Sequence, residues 1–228
     1  MRISSVKKTA KNHLSGNWGK AILTLVIFGI LEGLIYMLLN GPVDKHYTGT
    51  IFPSSKQQEL IPGGVLTVIE VISAIINTLL GYGLVSYFLK LIRDEEKGLS
   101  DLFNYFKSGH QFIRAFLVGF FVTLFTVLWT ILLIIPGIIK SIAYSQVGYI
   151  LKDFPEMKAL DAITLSRRMM DGYKWKFFLL GLSFIGWGLL VIITFGLALF
   201  YVAPYFYTAQ AQFYAEVKEA YEEKKETI

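Results

Sequence analysis

Cysteine is absent from the 228 residues. That excludes disulfides, thiolate catalysis, iron–sulfur clusters and cysteine-ligated zinc. Histidine is scarce: His13, His46 and His110 lie far apart, with no metal-ligand or base–nucleophile spacing. There is no Walker-type phosphate loop, no dinucleotide fingerprint and no Gly-x-Ser-x-Gly elbow. Charge is thin as well, at 17% of residues against 54% hydrophobic. A mean hydropathy of +0.52 leaves too little polar sequence to cover a soluble body of this length. The net charge of +5 does not signal nucleic acid, because no basic stripe interleaves with aromatics away from the apolar runs. It suits a rim that meets anionic headgroups. The N-terminal stretch is too long and amphipathic for a cleaved signal peptide, and no small-residue cleavage site follows the first apolar run.

What is present is a series of apolar runs with lopsided flanks. The predicted spans are Ala21–Leu39, Val65–Leu89, Ile113–Ile135, Ile138–Leu151, Phe177–Phe195 and Leu197–Tyr214. The fourth is short and polar, with Lys140, Ser141 and Gln146, so hydropathy alone reads it as re-entrant or interfacial. Charge favours a crossing. With six crossings, 19 of the 22 lysines and arginines fall on one side, and only Lys45, Lys56 and Lys140 on the other. The basic side is cytoplasmic by the positive-inside rule. The expected fold is all-α: a polytopic bundle of six transmembrane helices with both termini cytoplasmic. Residues 41–63, rich in Gly and Pro pairs, read as an extracytoplasmic loop. Residues 218–228 read as a charged cytoplasmic tail. Pro136-Gly137 is expected to end the third span, and Thr194-Phe195-Gly196 to turn the chain between the last two.

The cytoplasmic pieces are predicted to be amphipathic helices. Ile3, Val6, Ala10, Leu14 and Trp18 recur at helical spacing, opposite Lys7, Lys8 and Lys11, as in a helix lying in the headgroup plane. A short helix is expected from Ser100, with Leu102, Phe103 and Phe106. Asp153-Phe154-Pro155-Glu156 reads as a helix start. Met157, Leu160, Ile163 and Met170 would then form one face, up to Gly172. Each segment ends in glycine, then an aromatic and a cation, then a hairpin of two spans. The chain is thus one integral membrane domain, 1–228, with units 1–92, 99–152 and 153–222 if the pattern is a true threefold repeat. Helices entering from the cytoplasm in general would show the same flanks.

Glu32 is the sharpest polar feature, about 18 Å past Lys20 along a helix. Together with Glu70 and Lys140 it falls in the outer half of the bilayer. The three form a candidate intramembrane polar site. The favoured account is structural: an ion pair or a protonated acid at Glu32, an interfacial Glu70 and a snorkelling Lys140. Gly29 and Gly33 form a small-xxx-small pair. Gly81, Gly83, Gly181, Gly186 and Gly188 do the same on other spans, for helix packing. Pro204, with Tyr201, Tyr205 and Tyr207, marks a kink that either borders a polar cavity or is satisfied by its own neighbours. Lys7, Lys8, Lys11, Arg167, Arg168, Lys174 and Lys176 are candidate contacts for anionic lipid.

Several of these stretches resemble a known family. They are Gly16-Asn17-Trp18-Gly19-Lys20, Ile135-Pro136-Gly137-Ile138-Ile139, the run from Asp153-Phe154-Pro155-Glu156 to Gly172-Tyr173-Lys174-Trp175-Lys176, Leu182 to Trp187, Pro204-Tyr205 and Ala211-Gln212-Phe213-Tyr214. Together they are similar to the domain-of-unknown-function 975 family, integral membrane proteins mostly of Gram-positive bacteria. A fainter likeness runs to the membrane domain preceding some bacterial glycerophosphodiester phosphodiesterases, without their catalytic domain. The resemblance implies a bacterial cytoplasmic membrane and carries over no site residues. No cofactor or enzymatic activity is expected. The leading expectation is a membrane-embedded interaction or lipid-organising protein. Its partners would be anionic inner-leaflet lipids, another membrane protein or a second copy. The alternative is a small transporter or permease subunit for a polar or cationic substrate, using Glu32, Glu70 and Lys140.

Overall fold

The computed structural model describes residues 1–47 and 63–226, and every regular element in them is helical. In order these are α1 (Ile3–Leu14), α2 (Trp18–Tyr47), α3 (Gly63–Ile92) and a 3-10 helix (Leu99–Phe106). Then come α4 (Gly109–Leu132), α5 (Ile134–Tyr144), α6 (Val147–Asp153) and α7 (Ala159–Met169). The chain finishes with α8 (Lys174–Leu182), α9 (Ile185–Ile193) and α10 (Leu199–Glu226).

Five stretches are long and apolar enough to cross a membrane: Trp18–Leu39, Thr67–Ile92, Gly109–Leu132, Ile134–Asp153 and Lys174–Ile193. Their outward faces stay apolar. Ile131, Ile192 and Leu38 are each more than 70% exposed, an arrangement stable in hydrocarbon and costly in water. The short, polar fourth run belongs to a full-length stretch, Ile134–Asp153, half of it buried by its neighbours. The expected sixth span lies in α10. That helix is long enough, but its tyrosines, glutamines and charged end take it below the apolar composition of the other five.

Several boundaries move. The third-span reversal occurs at Leu133, whose extended backbone separates α4 from α5. Pro136 does not stop the helix. It sits in the first turn of α5, where its missing N–H has no helical partner to lose. Gly137 is needed for close approach, since a Cβ there would meet Thr130. The expected loop starts later than Gly41, because α2 continues through Gly41-Pro42 to Tyr47. Residues 48–62 lie outside the described residues. Asp153 closes α6 rather than opening a helix, and α7 begins at Ala159 with Lys158 as its cap residue. Leu160 is half exposed, and the buried face of α7 runs through Ala159, Ala162, Ile163, Ser166 and Met169. The turn at Thr194-Phe195-Gly196 is present, with left-handed backbone at Phe195 and Gly196.

The core is aromatic, with Tyr87, Phe88, Phe213 and Tyr214 among its largest fully enclosed side chains. Helix α1 adds Val6, Ala10 and Leu14, all fully buried. Its apolar stripe, expected to lie on lipid, is instead covered by protein, chiefly α10. α1 and α7 are built alike. Val6, Ala10 and Leu14 correspond to Ala162, Ser166 and Met170, all of them at 0% exposure. Each helix is followed by a left-handed glycine, Gly16 or Gly172. The next residue then donates back, Asn17 N to Leu14 O at 2.8 Å and Tyr173 N to Met170 O at 3.1 Å. The middle unit lacks this device, since Gly109 opens α4 in ordinary helical backbone.

Candidate functional site

The cations sort into two groups by what their side chains touch. The first group is consumed by the fold. The Asp153 carboxylate, 4% exposed, accepts two parallel bonds from Arg93, at 2.6 and 2.8 Å. It also accepts from Lys218 Nζ at 2.7 Å and the Tyr214 hydroxyl at 2.8 Å. The C-terminal turn of α6 is thereby tied to the end of α3 and to α10. Glu95 lies 3.9 Å from both Arg93 and Lys152 and extends the network outward.

Arg114 in the first turns of α4 is buried and donates to backbone carbonyls alone. Its Nε reaches Met157 O at 2.5 Å, and Nη1 reaches Pro155 O at 2.7 Å and Leu151 O at 3.3 Å. Nη2 donates to Phe154 O. The loop after α6 is thus folded around one guanidinium, which supplies donors to carbonyls a helix end leaves unpaired. Lys90 bonds Asp101 at 2.7 Å, and Asp101 also accepts from Gly98 N at 3.0 Å and Asn104 Nδ2 at 3.1 Å. Burial pushes the Asp101 carboxyl up, but these donors outweigh it and hold the group below its ordinary value.

The second group is free of such ties. Lys8, Lys11, Arg167 and Arg168 are exposed, and none forms an ion pair among the described residues. Lys11 and Arg167 hold equivalent places on α1 and α7, each one residue after a fully buried position, Ala10 or Ser166. The other three expected lipid contacts are partly occupied. Lys174 sits 3.6 Å from Asp171, and Lys176 lies over the Tyr173 ring at 5.0 Å. Lys7 turns inward to Ser183 and the Phe184 ring, and burial lowers its pKa.

The three intramembrane residues are not joined to one another by any ion pair among the described residues. Glu32 is half-buried on α2. Glu70 is exposed on α3. Lys140 on α5 covers the Trp129 ring at 4.7 Å. The expected packing glycines also divide. Gly29, Gly33, Gly81, Gly181, Gly186 and Gly188 face open space, whereas a Cβ on Gly83 would stand 2.2 Å from Leu102 O. Around Pro204, Tyr205 is buried and packs on Phe184 and Trp187.

Sequence reasoning missed Arg93, Lys218 and Arg114, which look like ordinary rim charges along the chain, and took Asp153 for a helix cap. It also missed two interruptions, α5–α6 at Ser145-Gln146 and α8–α9 at Ser183-Phe184, each inside a candidate span. The buried Gln146 Oε1 and Ser86 Oγ have no hydrogen-bond partner. Two apolar grooves open on the outside, about 500 Å³ between α3 and α4 and about 620 Å³ between α2 and α10. Among the described residues, no group of three acidic or histidine side chains is placed to hold a metal ion.

No curated protein and no solved structure matches the chain. One family does, described as "Protein of unknown function (DUF975)", over residues 1–140 and 130–221. With nearly the whole length matched, the chain belongs to the DUF975 family.

Proposed function

We propose that this chain is a non-enzymatic protein of the bacterial cytoplasmic membrane that gathers anionic lipid at its inner face. The observation that carries the reading is the division of cations. Those needed by the fold are paired or bonded to carbonyls, while Lys8, Lys11, Arg167 and Arg168 stay exposed on helices whose apolar faces are already docked. Cations so presented meet headgroup phosphates at the cost of little side-chain order. The two apolar grooves offer room for acyl chains. The topology that goes with this reading has six spans, α10 being the last, and both termini inside. The basic asymmetry of the sequence supports it. Transport through Glu32, Glu70 and Lys140 gains no support from their separate surroundings.

The test is native mass spectrometry of protein from mixed phosphatidylglycerol–phosphatidylcholine nanodiscs. Each basic residue contributes about 1 kcal/mol at an anionic surface. Replacing all four cations with glutamine is therefore expected to weaken phosphatidylglycerol retention by about two orders of magnitude or more. Unchanged retention rejects the reading. A second polypeptide retained in place of lipid directs it to a protein partner.

A further inference from the structure

A helix in hydrocarbon satisfies its own backbone, and a break in it leaves carbonyls that need donors from elsewhere. The stretch Lys174–Ile193 is broken at Ser183-Phe184. The donor at that break comes from α1. Lys7 Nζ lies 3.2 Å from the Ser183 carbonyl oxygen and 3.2 Å from its Oγ. The same nitrogen stands 4.4 Å from the Phe184 ring centroid and 5.8 Å from that of Tyr205. Both rings are buried. The Ser183 hydroxyl donates onward to Leu180 O at 2.7 Å, so its lone pairs face the ammonium.

Two oxygen acceptors and two ring faces about one nitrogen are the parts from which proteins build ammonium recognition. No carboxylate belongs to the set, and Lys7 forms no ion pair among the described residues. The cation is held by dipoles and ring quadrupoles alone. Such a site selects a compact ammonium and not a neutral group of the same shape.

We propose that the α8–α9 break is a primary-ammonium site, filled in cis by Lys7. It is open to exchange with the amine of an ethanolamine-type headgroup or of a soluble alkylamine. Exchange loosens the first turn of α1 and exposes Val6, while Ala10 and Leu14 keep the rest of the helix docked. None of the four exposed cations of the preceding section takes part. The proposal therefore stands or falls separately from the anionic-lipid reading.

Lys7→Ala removes the atoms of n-propylammonium. Its unfolding temperature in detergent is expected to fall by about 3 to 8 °C. n-Propylammonium should restore it saturably, and n-propanol should not. Restoration by neither, or equally by both, overturns the ammonium assignment. A second measurement does not depend on that variant folding. The chain has no cysteine, so Ile3→Cys in the otherwise unchanged protein reports on the first turn of α1. Its maleimide labelling rate is compared in phosphatidylcholine nanodiscs, in the same nanodiscs with n-propylammonium, and in phosphatidylethanolamine nanodiscs, all at one ionic strength. A several-fold acceleration in phosphatidylethanolamine identifies the headgroup as ligand. Acceleration by the soluble amine alone identifies that source. Equal rates in all three overturn the exchange.

Discussion

Asp153 gathers two cations and a phenol on one nearly buried carboxylate. Replacing it with Asn leaves Arg93 and Lys218 facing a neutral amide, half of which is itself a donor. Breaking a buried pair costs about 3–5 kcal/mol, less here because both cations reach water, so about 2–3 kcal/mol is expected. Thermal unfolding in detergent measures it, and a variant as stable as the parent would show that the network adds nothing. Asp101 gives a pH signature. Its folded pKa lies below the ordinary 3.8. Its contribution is therefore full above the unfolded value and is lost as pH falls through the lower, folded one. Asp101→Asn should destabilise at neutral pH, and the gap to the parent should narrow only as pH falls below the unfolded value of 3.8. Glycine shows where the sequence is silent. Gly29 and Gly83 look alike along the chain, yet only Gly83 lies against a backbone, that of Leu102. Gly83→Ala is expected to cost about 1–3 kcal/mol and Gly29→Ala nothing, by the same unfolding assay.

At the scale of elements, apolar length was legible, because five stretches satisfy membrane thickness within themselves. Element ends were less so, because an end is decided by what a carbonyl or carboxylate meets across the bundle. Asp153-Phe154-Pro155-Glu156 carries every local mark of a helix start. Arg114, distant in sequence, uses that stretch's carbonyls as acceptors, and Asp153 is drawn to Arg93 and Lys218. The candidate sites divide in the same way: exposure of Lys8 and Arg167 follows from helical periodicity, whereas the inward turn of Lys7 depends on a break in another helix. Arg114→Lys tests the loop. A single ammonium cannot reach the four carbonyls that the guanidinium fork bonds. The loop should open, and trypsin should cut after Lys158 at least several-fold faster than in the parent. An unchanged cleavage rate would mean the loop holds its shape without the fork.

At the scale of the molecule, the contact that closes the bundle is between the first helix and the last. α1 lies on α10, the 3-10 helix on α3, and α7 on α4, α5 and α6, so each short helix covers the hairpin before it in a circular order. The arrangement bears on the proposed sixth span, since α10 falls short of the other five in apolar composition. Thr208, Ala209, Ala211, Phe213 and Tyr214 are buried against the other elements, while Gln210 and Gln212 are partly covered. A window average weighs all faces of a helix equally, whereas lipid sees only one. The six-span reading then places α1 and the end of α10 on one side, and the turn at Phe195, 98% exposed, on the other. The absence of cysteine makes this directly testable. Single cysteines at Lys8 and Glu223 should react with a membrane-impermeant maleimide only after lysis, and one at Phe195 should react in intact cells stripped of wall. If Phe195→Cys reacts only after lysis, α8 and α9 re-enter instead of crossing. α10 would then lie along the inner surface, and its charged end would still share the cytoplasmic face with the exposed cations of α1 and α7, so the outcome would lower the number of spans without moving the cations.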